Sequence, residues 1–179
     1  MRIISGKNKG RKINPPNDLP VRPTTDMAKE SLFNILNNLI DFDQIDVLDL
    51  FSGTGNIAYE FASRGAGSVT AVDISHKCVR FIKQIAEQLN FDQITIVQAD
   101  YRKFLNRNYR KWDVIFTDPP YALENITDIH QMVFDNQLLK ENGLLIIEHD
   151  QTVIFENHKG FLDHRNYGKV NFSFFRQVK

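Results

Sequence analysis

From residue 45 onward, short apolar runs alternate with stretches whose apolar residues recur at helical spacing, and this alternation narrows the possible folds most. Residues 45–50 read as a short buried strand, and a helix follows over about 55–64, stopped at Gly65. Residues 68–73 are a second strand, and Ser75 caps a helix running to about 90. The third strand is 94–97, followed by a short helix over about 101–106. Residues 112–117 make the fourth strand, 126–139 a helix and 143–148 the fifth strand. Two further strand-like runs, 161–167 and 170–176, read as an antiparallel pair. Strands that alternate with helices form a parallel sheet covered on both faces, and ligands bind such sheets at the carboxyl ends of the strands.

The 179 residues suit one domain plus a small extension. Residues 1–23 carry two short apolar runs around Gly6–Gly10 and then Pro15, Pro16, Pro20 and Pro23, which predicts a hairpin and an extended linker. The main domain is expected over 24–179. It opens with Thr24 or Thr25 capping a helix on which Ala28, Leu32, Ile35, Leu36 and Leu39 share a face. Formal net charge is zero, yet Arg2, Lys7, Lys9, Arg11, Lys12 and Arg22 face only Asp18 in the extension. Such a cluster suits phosphates; an ordinary solvated loop accounts for it equally well. Cys78 is the single cysteine, so no intrachain disulfide can form, and its helical apolar neighbours predict a buried thiol. The five histidines show no metal-ligand spacing. No stretch approaches the roughly 20 apolar residues of a membrane span, and no secretory leader is visible, so a cytoplasmic location is expected.

Acidic residues stand where the strand-end rule puts a ligand site: Asp49 through Gly55, Asp73, Asp100 and Asp118. In Asp49-Leu50-Phe51-Ser52-Gly53-Thr54-Gly55, the glycines permit a sharp turn and close backbone approach. Gly53-x-Gly55-x-x-Ala58 also fits a dinucleotide fingerprint with Asp73 as the ribose acid, which keeps an NAD(P)-dependent oxidoreductase open. Asp49 before the glycines argues otherwise, because a carboxylate there suits an ammonium-bearing ligand and opposes a pyrophosphate. Asp73 can accept two ribose hydroxyls, and Asp100, beside Tyr101, can accept from an adenine amine. The same acids can instead serve as helix caps.

After the fourth strand comes Asp118-Pro119-Pro120-Tyr121. The prolines fix φ and remove two N–H groups, which leaves carbonyls on a rigid loop. Asp118 and the Pro119 carbonyl can each accept one hydrogen of an exocyclic base amine. Held so, the nitrogen recovers lone-pair density and can attack a methyl group. Tyr121 can stack on a base splayed out of its helix.

Asp49-x-Phe51-x-Gly53-x-Gly55, Asp73, Asp100 and Asp118-Pro119-Pro120-Tyr121 resemble the motifs of class I amino-methyltransferases. That group includes adenine-N6, cytosine-N4 and guanine-N2 enzymes acting on DNA or RNA. Arg2-Ile3-Ile4-Ser5-Gly6, Gly10-Arg11-Lys12, Arg22-Pro23-Thr24-Thr25-Asp26, Glu30-Ser31-Leu32-Phe33-Asn34-Ile35-Leu36 and Arg64-Gly65-Ala66 resemble the RsmD-like 16S rRNA (guanine-N2)-methyltransferases. The resemblance implies a Rossmann-like class I methyltransferase fold. Its sheet would be seven-stranded and mostly parallel, with an antiparallel last strand, helices on both faces and a small N-terminal hairpin. It implies S-adenosyl-L-methionine as cofactor, held by Thr24, Asp49, Phe51, Ser52, Gly53, Thr54, Gly55, Asp73, Ile74, Asp100 and Tyr101. Catalysis would fall to Asp118, Pro119, Pro120 and Tyr121, and RNA contact to Arg2, Lys7, Lys9, Arg11, Lys12, Arg22 and Thr25. The partner would be ribosomal RNA in the small subunit or an assembly intermediate, approached by a monomer without a metal or a membrane. A DNA restriction-type enzyme is disfavoured, since no separate target-recognition domain fits in this length.

Overall fold

A computed structural model of the chain describes residues 1–21 and 24–178; Arg22, one of the basic residues above, lies outside them. The elements run α1 (Asp26–Leu36), β1 (Asp46–Leu50), α2 (Asn56–Ser63), β2 (Ser68–Asp73), α3 (His76–Gln88), β3 (Ile94–Gln98), α4 (Tyr101–Arg107), β4 (Trp112–Thr117), α5 (Thr127–Asp135), β5 (Leu139–His149), β6 (Phe161–Tyr167) and β7 (Val170–Arg176). The strands form one seven-stranded sheet in the order β3-β2-β1-β4-β5-β7-β6. The first five strands run parallel, and β7 inserts antiparallel between β5 and β6.

Alternation along the central strands divides the core in two. Val47, Val69, Ala71, Val114, Phe116, Leu144 and Ile146 meet apolar residues of α1, α2 and α3 on one face. Leu48, Leu50, Val72, Ile115, Leu145 and Ile147 meet α4 and α5 on the other. Both faces of a parallel strand are thus buried, which is why these strands read as continuous apolar runs. Cys78 is fully buried on α3, as its neighbours indicate. Thr25 caps α1, its hydroxyl accepting from the Ala28 N–H at 3.2 Å.

Two helices end earlier than their periodicity predicts: α1 stops at Leu36, which leaves Leu39 in the turn beyond it, and α5 stops at Asp135. Leu138 and Leu139 continue the apolar spacing of α5, but Gln137 turns left-handed at φ 51° and the Leu138 N–H returns to the Val133 carbonyl. The two leucines are buried beyond the helix, Leu139 as the first residue of β5.

The N-terminal extension is a short hairpin closed by an antiparallel bridge between Arg2 and Lys12, with Ile3 and Ile13 buried against α1 and α2. It is fastened by Glu60 of α2, whose carboxylate is fully buried. Glu60 accepts from the Ile4 N–H at 2.8 Å, the Ser5 N–H at 3.0 Å and Arg64 Nε at 2.9 Å. Lys29 of α1, also fully buried, lies 3.4 Å from the same carboxylate and donates to Asn56 Oδ1 at 2.7 Å and to the Arg2 carbonyl. Removing one partner of a buried ion pair leaves the other charge unpaired, which costs about 3–5 kcal/mol. Arg64 and two N–H groups would still hold Glu60, so Lys29→Met is expected to lower stability by about 3 kcal/mol in urea unfolding. A loss under about 1 kcal/mol would show that this node is not what holds the hairpin.

Candidate active site

β1 pairs with β2 on one side and β4 on the other, so the carboxyl ends of β1, β2, β3 and β4 open onto one crevice. The loop after β1 is tightly folded. Phe51 sits at φ 63°, Gly53 at 54° and Gly55 at 79°, a run of left-handed residues. A Cβ on Gly55 would come within 2.6 Å of the Tyr59 ring, so only glycine fits there. The Ser52 hydroxyl turns back onto the sheet, donating to the Asp49 carbonyl at 2.7 Å and the Val72 carbonyl at 3.1 Å. Thr54 is buried, its hydroxyl facing Met1 Sδ at 3.4 Å.

Gly55, the N-cap of α2, has no side chain to satisfy that helix terminus. Asp49 does so from the end of β1, its Oδ2 accepting from the Ala58 N–H at 3.1 Å. Burial holds the Asp49 carboxyl well above the usual carboxylate range; the Ala58 N–H opposes that rise, and the charges of Asp118 and Asp73 reinforce it. Asp73 accepts from the Gly53 N–H at 2.8 Å through one oxygen and from the Ser75 N–H at 2.8 Å through the other. Each carboxylate oxygen has a second acceptor site, so these bonds fix the group without exhausting it. Asp100 caps α4, accepting from the Lys103 N–H at 3.1 Å. The capping and ligand-binding readings of these acids are therefore compatible. Ile74 stands 67% exposed beside Asp73, and the Tyr101 ring packs 4.9 Å from that of Phe51.

Asp118 leaves the end of β4 with its N–H on the Leu50 carbonyl at 3.4 Å. Burial pushes its carboxyl up to about 7. Pro119 is buried and Pro120 exposed. The Pro120 carbonyl accepts from the Leu123 N–H within the turn, while among the described residues the Pro119 carbonyl accepts no backbone N–H. Tyr121 projects from the loop, 66% exposed.

The linker crosses this mouth. Val21 lies against Gly53, 3.4 Å from where a Cβ would stand, and Asp18 pairs with Lys77 of α3 at 2.9 Å. The Thr24 carbonyl accepts from Asn56 Nδ2 at 3.0 Å, which sets Thr24 beside the start of α2. The basic residues of the hairpin are not brought to one place. Arg2 and Lys12 share the bridge nearest the glycine loop, and Arg2 lies 3.7 Å from Asp26. Lys7 bonds through its N–H to the Ser63 carbonyl, at the far end of α2. Lys9 belongs to the same turn, its N–H on the Gly6 carbonyl. That end is about 12 Å away, the length of an eight-residue helix.

Sequence reasoning passed over one acid that obeys the same rule. Glu148 lies at the carboxyl end of β5, is 5% exposed, and its Oε2 is buried without a hydrogen-bond partner among the described residues. The signal was an acidic residue closing the apolar run 144–147. Among the described residues, no His, Cys, Asp and Glu cluster could hold a metal, and no helix is long and apolar enough to cross a membrane.

A family profile described as conserved hypothetical protein 95 matches residues 1–176. The chain belongs to this family. A ribosomal RNA small subunit methyltransferase D from Buchnera aphidicola is 33% identical over 153 residues, covering 86% of this chain and 78% of the relative. A putative methyltransferase from Escherichia coli superposes with a TM-score of 0.86 at 24% identity, covering 99% of this chain and 98% of that one. A Thermus thermophilus 16S rRNA N2 G1207 methyltransferase, solved with S-adenosylmethionine and guanosine, superposes with a TM-score of 0.70 at 19% identity. It covers 88% of this chain and 44% of that one. The family's fold is the class I methyltransferase fold expected above, with β7 as the antiparallel last strand.

Burial pushes the Glu148 carboxyl up to about 8, and the Asp118 charge adds to the rise. A carboxyl raised on folding stabilises the fold fully below its unfolded value near 4.5, and that contribution is lost as pH climbs toward about 8. Glu148→Gln escapes the loss. Its thermal stability relative to the unaltered protein should grow between about pH 4.5 and about pH 8, by roughly 2–4 kcal/mol. A pH-independent difference would show that Glu148 is not held neutral by burial.

Proposed function

We propose that the protein transfers a methyl group from S-adenosyl-L-methionine to the exocyclic N2 amine of a guanine in 16S ribosomal RNA. The placement of Asp118-Pro119-Pro120-Tyr121 against an acid-lined glycine loop carries this reading. Asp49, Asp73 and Asp118 are close enough for their charges to raise the Asp49 carboxyl. A crevice so lined suits a ligand bearing a sulfonium and an ammonium and disfavours a pyrophosphate, which sets aside the oxidoreductase alternative. When bound, S-adenosylmethionine supplies an electrophilic methyl group.

The chain's own residues supply position and proton acceptance. Gly53 and Gly55 admit the ligand to the backbone, Asp73 accepts from ribose hydroxyls, and Asp100 and Ile74 flank the adenine. Tyr121 stacks on the flipped base, and Asp118 with the Pro119 carbonyl accepts the two amine hydrogens. The nitrogen then turns its lone pair toward the methyl group. The methyl–sulfur bond breaks as the N–C bond forms, releasing S-adenosylhomocysteine, and one amine hydrogen then leaves as a proton to Asp118 or to water. Arg2 and Lys12 lie on the mouth side of the hairpin and suit phosphates of the RNA, as does Arg22 on the linker. The protein acts as a cytoplasmic monomer on the small subunit or an assembly intermediate. The relatives named for small-subunit and 16S rRNA methylation support this choice of substrate.

Labelled S-adenosylmethionine incubated with unmodified small subunits should label guanine as N2-methylguanine, identified by mass spectrometry of the digested RNA. Label found only in adenine or cytosine, or only in added DNA, would overturn the reading. Asp118→Ala should cut transfer by at least about 10²-fold with S-adenosylhomocysteine affinity kept, because Asp118 acts on the amine. Asp118 accepts a hydrogen well only when ionised, so kcat/KM should rise as pH climbs through about 7. A profile flat from about pH 6 to about pH 8 would exclude that role.

A further inference from the structure

Glu148 has no part in the chemistry above, yet its surroundings call for a ligand. β4 and β5 run parallel, with Thr117 registered against Ile147. One step further, Asp118 and Glu148 leave neighbouring strands about 5 Å apart, on the same face. The Tyr121 phenol stands close enough to Glu148, Asp118 and Asp150 to feel their charges, so the ring and these acids flank the same end of the sheet. No lysine or arginine pairs with Glu148 among the described residues. Its Oε2 is buried without a donor among the described residues. A buried acceptor left unmatched is unusual in a native protein and is resolved when a ligand brings the hydrogen.

We propose that Glu148 reads the target base, its carboxyl accepting the ring N1–H of guanine beside the amine held by Asp118 and the Pro119 carbonyl. The inference rests on the guanine reading above and deepens it. Guanine carries a donor at N1 directly next to the N2 amine. Adenine and cytosine carry a lone pair at the ring nitrogen beside their amine, which the ionised form of Glu148, prevalent above about pH 8, repels. Accepting N1–H also draws that hydrogen away from the ring and leaves more electron density on N2. Glu148 thereby determines which base is accepted, while Asp118 acts on the amine itself.

2-Aminopurine separates the two roles, since it keeps the N2 amine but presents a lone pair at N1. Its riboside is fluorescent, so binding to the S-adenosylhomocysteine complex can be titrated directly at pH 8.5, with guanosine and adenosine as competitors. The unaltered protein should prefer guanosine over 2-aminopurine riboside by on the order of ten- to a hundredfold. Glu148→Ala should erase that preference. Glu148→Gln, nearly isosteric, can turn its carbonyl toward N1–H or its amide N–H toward a lone pair, so it should keep guanosine and gain 2-aminopurine riboside. Glu148→Ala should also lower methyl transfer to small subunits by on the order of a hundredfold. Unchanged S-adenosylhomocysteine affinity in both variants shows that the fold is intact. A guanosine preference that survives both substitutions overturns the role of Glu148 and leaves the guanine reading standing. An unaltered protein that prefers adenosine, or binds none of the nucleosides, overturns both.

Discussion

β1 has a parallel neighbour on each side, β2 reached in one direction and β4 in the other. Strand order reverses there, so the loops after β1 and β4 part to opposite faces and leave a crevice between them. The glycine loop and the Asp118 loop are the walls of that crevice. The Asp118 N–H on the Leu50 carbonyl is the direct tie between the walls. Position in this molecule thus follows from pairing, and pairing follows from apolar strands that must be covered on both faces.

Most of the architecture could be read from residue order because its determinants are local. β2, β4, β6 and β7 have the boundaries that their apolar runs predict, and Ser75 and Thr25 cap the helices they precede. α5 misled because burial and helicity share a signal: Leu138 and Leu139 are apolar for the core's sake, while Gln137 breaks the helix by a backbone turn. The four acidic strand ends were visible because motif and topology coincided. Glu148 was not, since a glutamate after an apolar run has no motif around it and shows its character only when Asp118 is placed beside it. The Lys29–Glu60 pair was equally hidden, because nothing in either residue's neighbourhood marks it as buried.

The crevice concentrates carboxyl groups that the fold would be more stable without. Asp49, Asp118 and Glu148 are all driven upward by burial. Asp49 at least earns a helix cap, but the other two have no structural partner among the described residues. Buried carboxyls without a protein partner lower stability and mark a candidate ligand site.

Glu60 grips the hairpin by the main chain: the N–H groups of Ile4 and Ser5 are what it holds. Every residue but proline carries that group, so this hold is indifferent to the Ile4 and Ser5 side chains, whereas Gly6 next to them is fixed by the Ser63 carbonyl that a Cβ there would strike. Mutation can therefore rewrite the outward-facing residues of the hairpin without loosening it. A surface attached in this way can drift in charge and shape to follow a changing partner, while the crevice beneath it keeps its form.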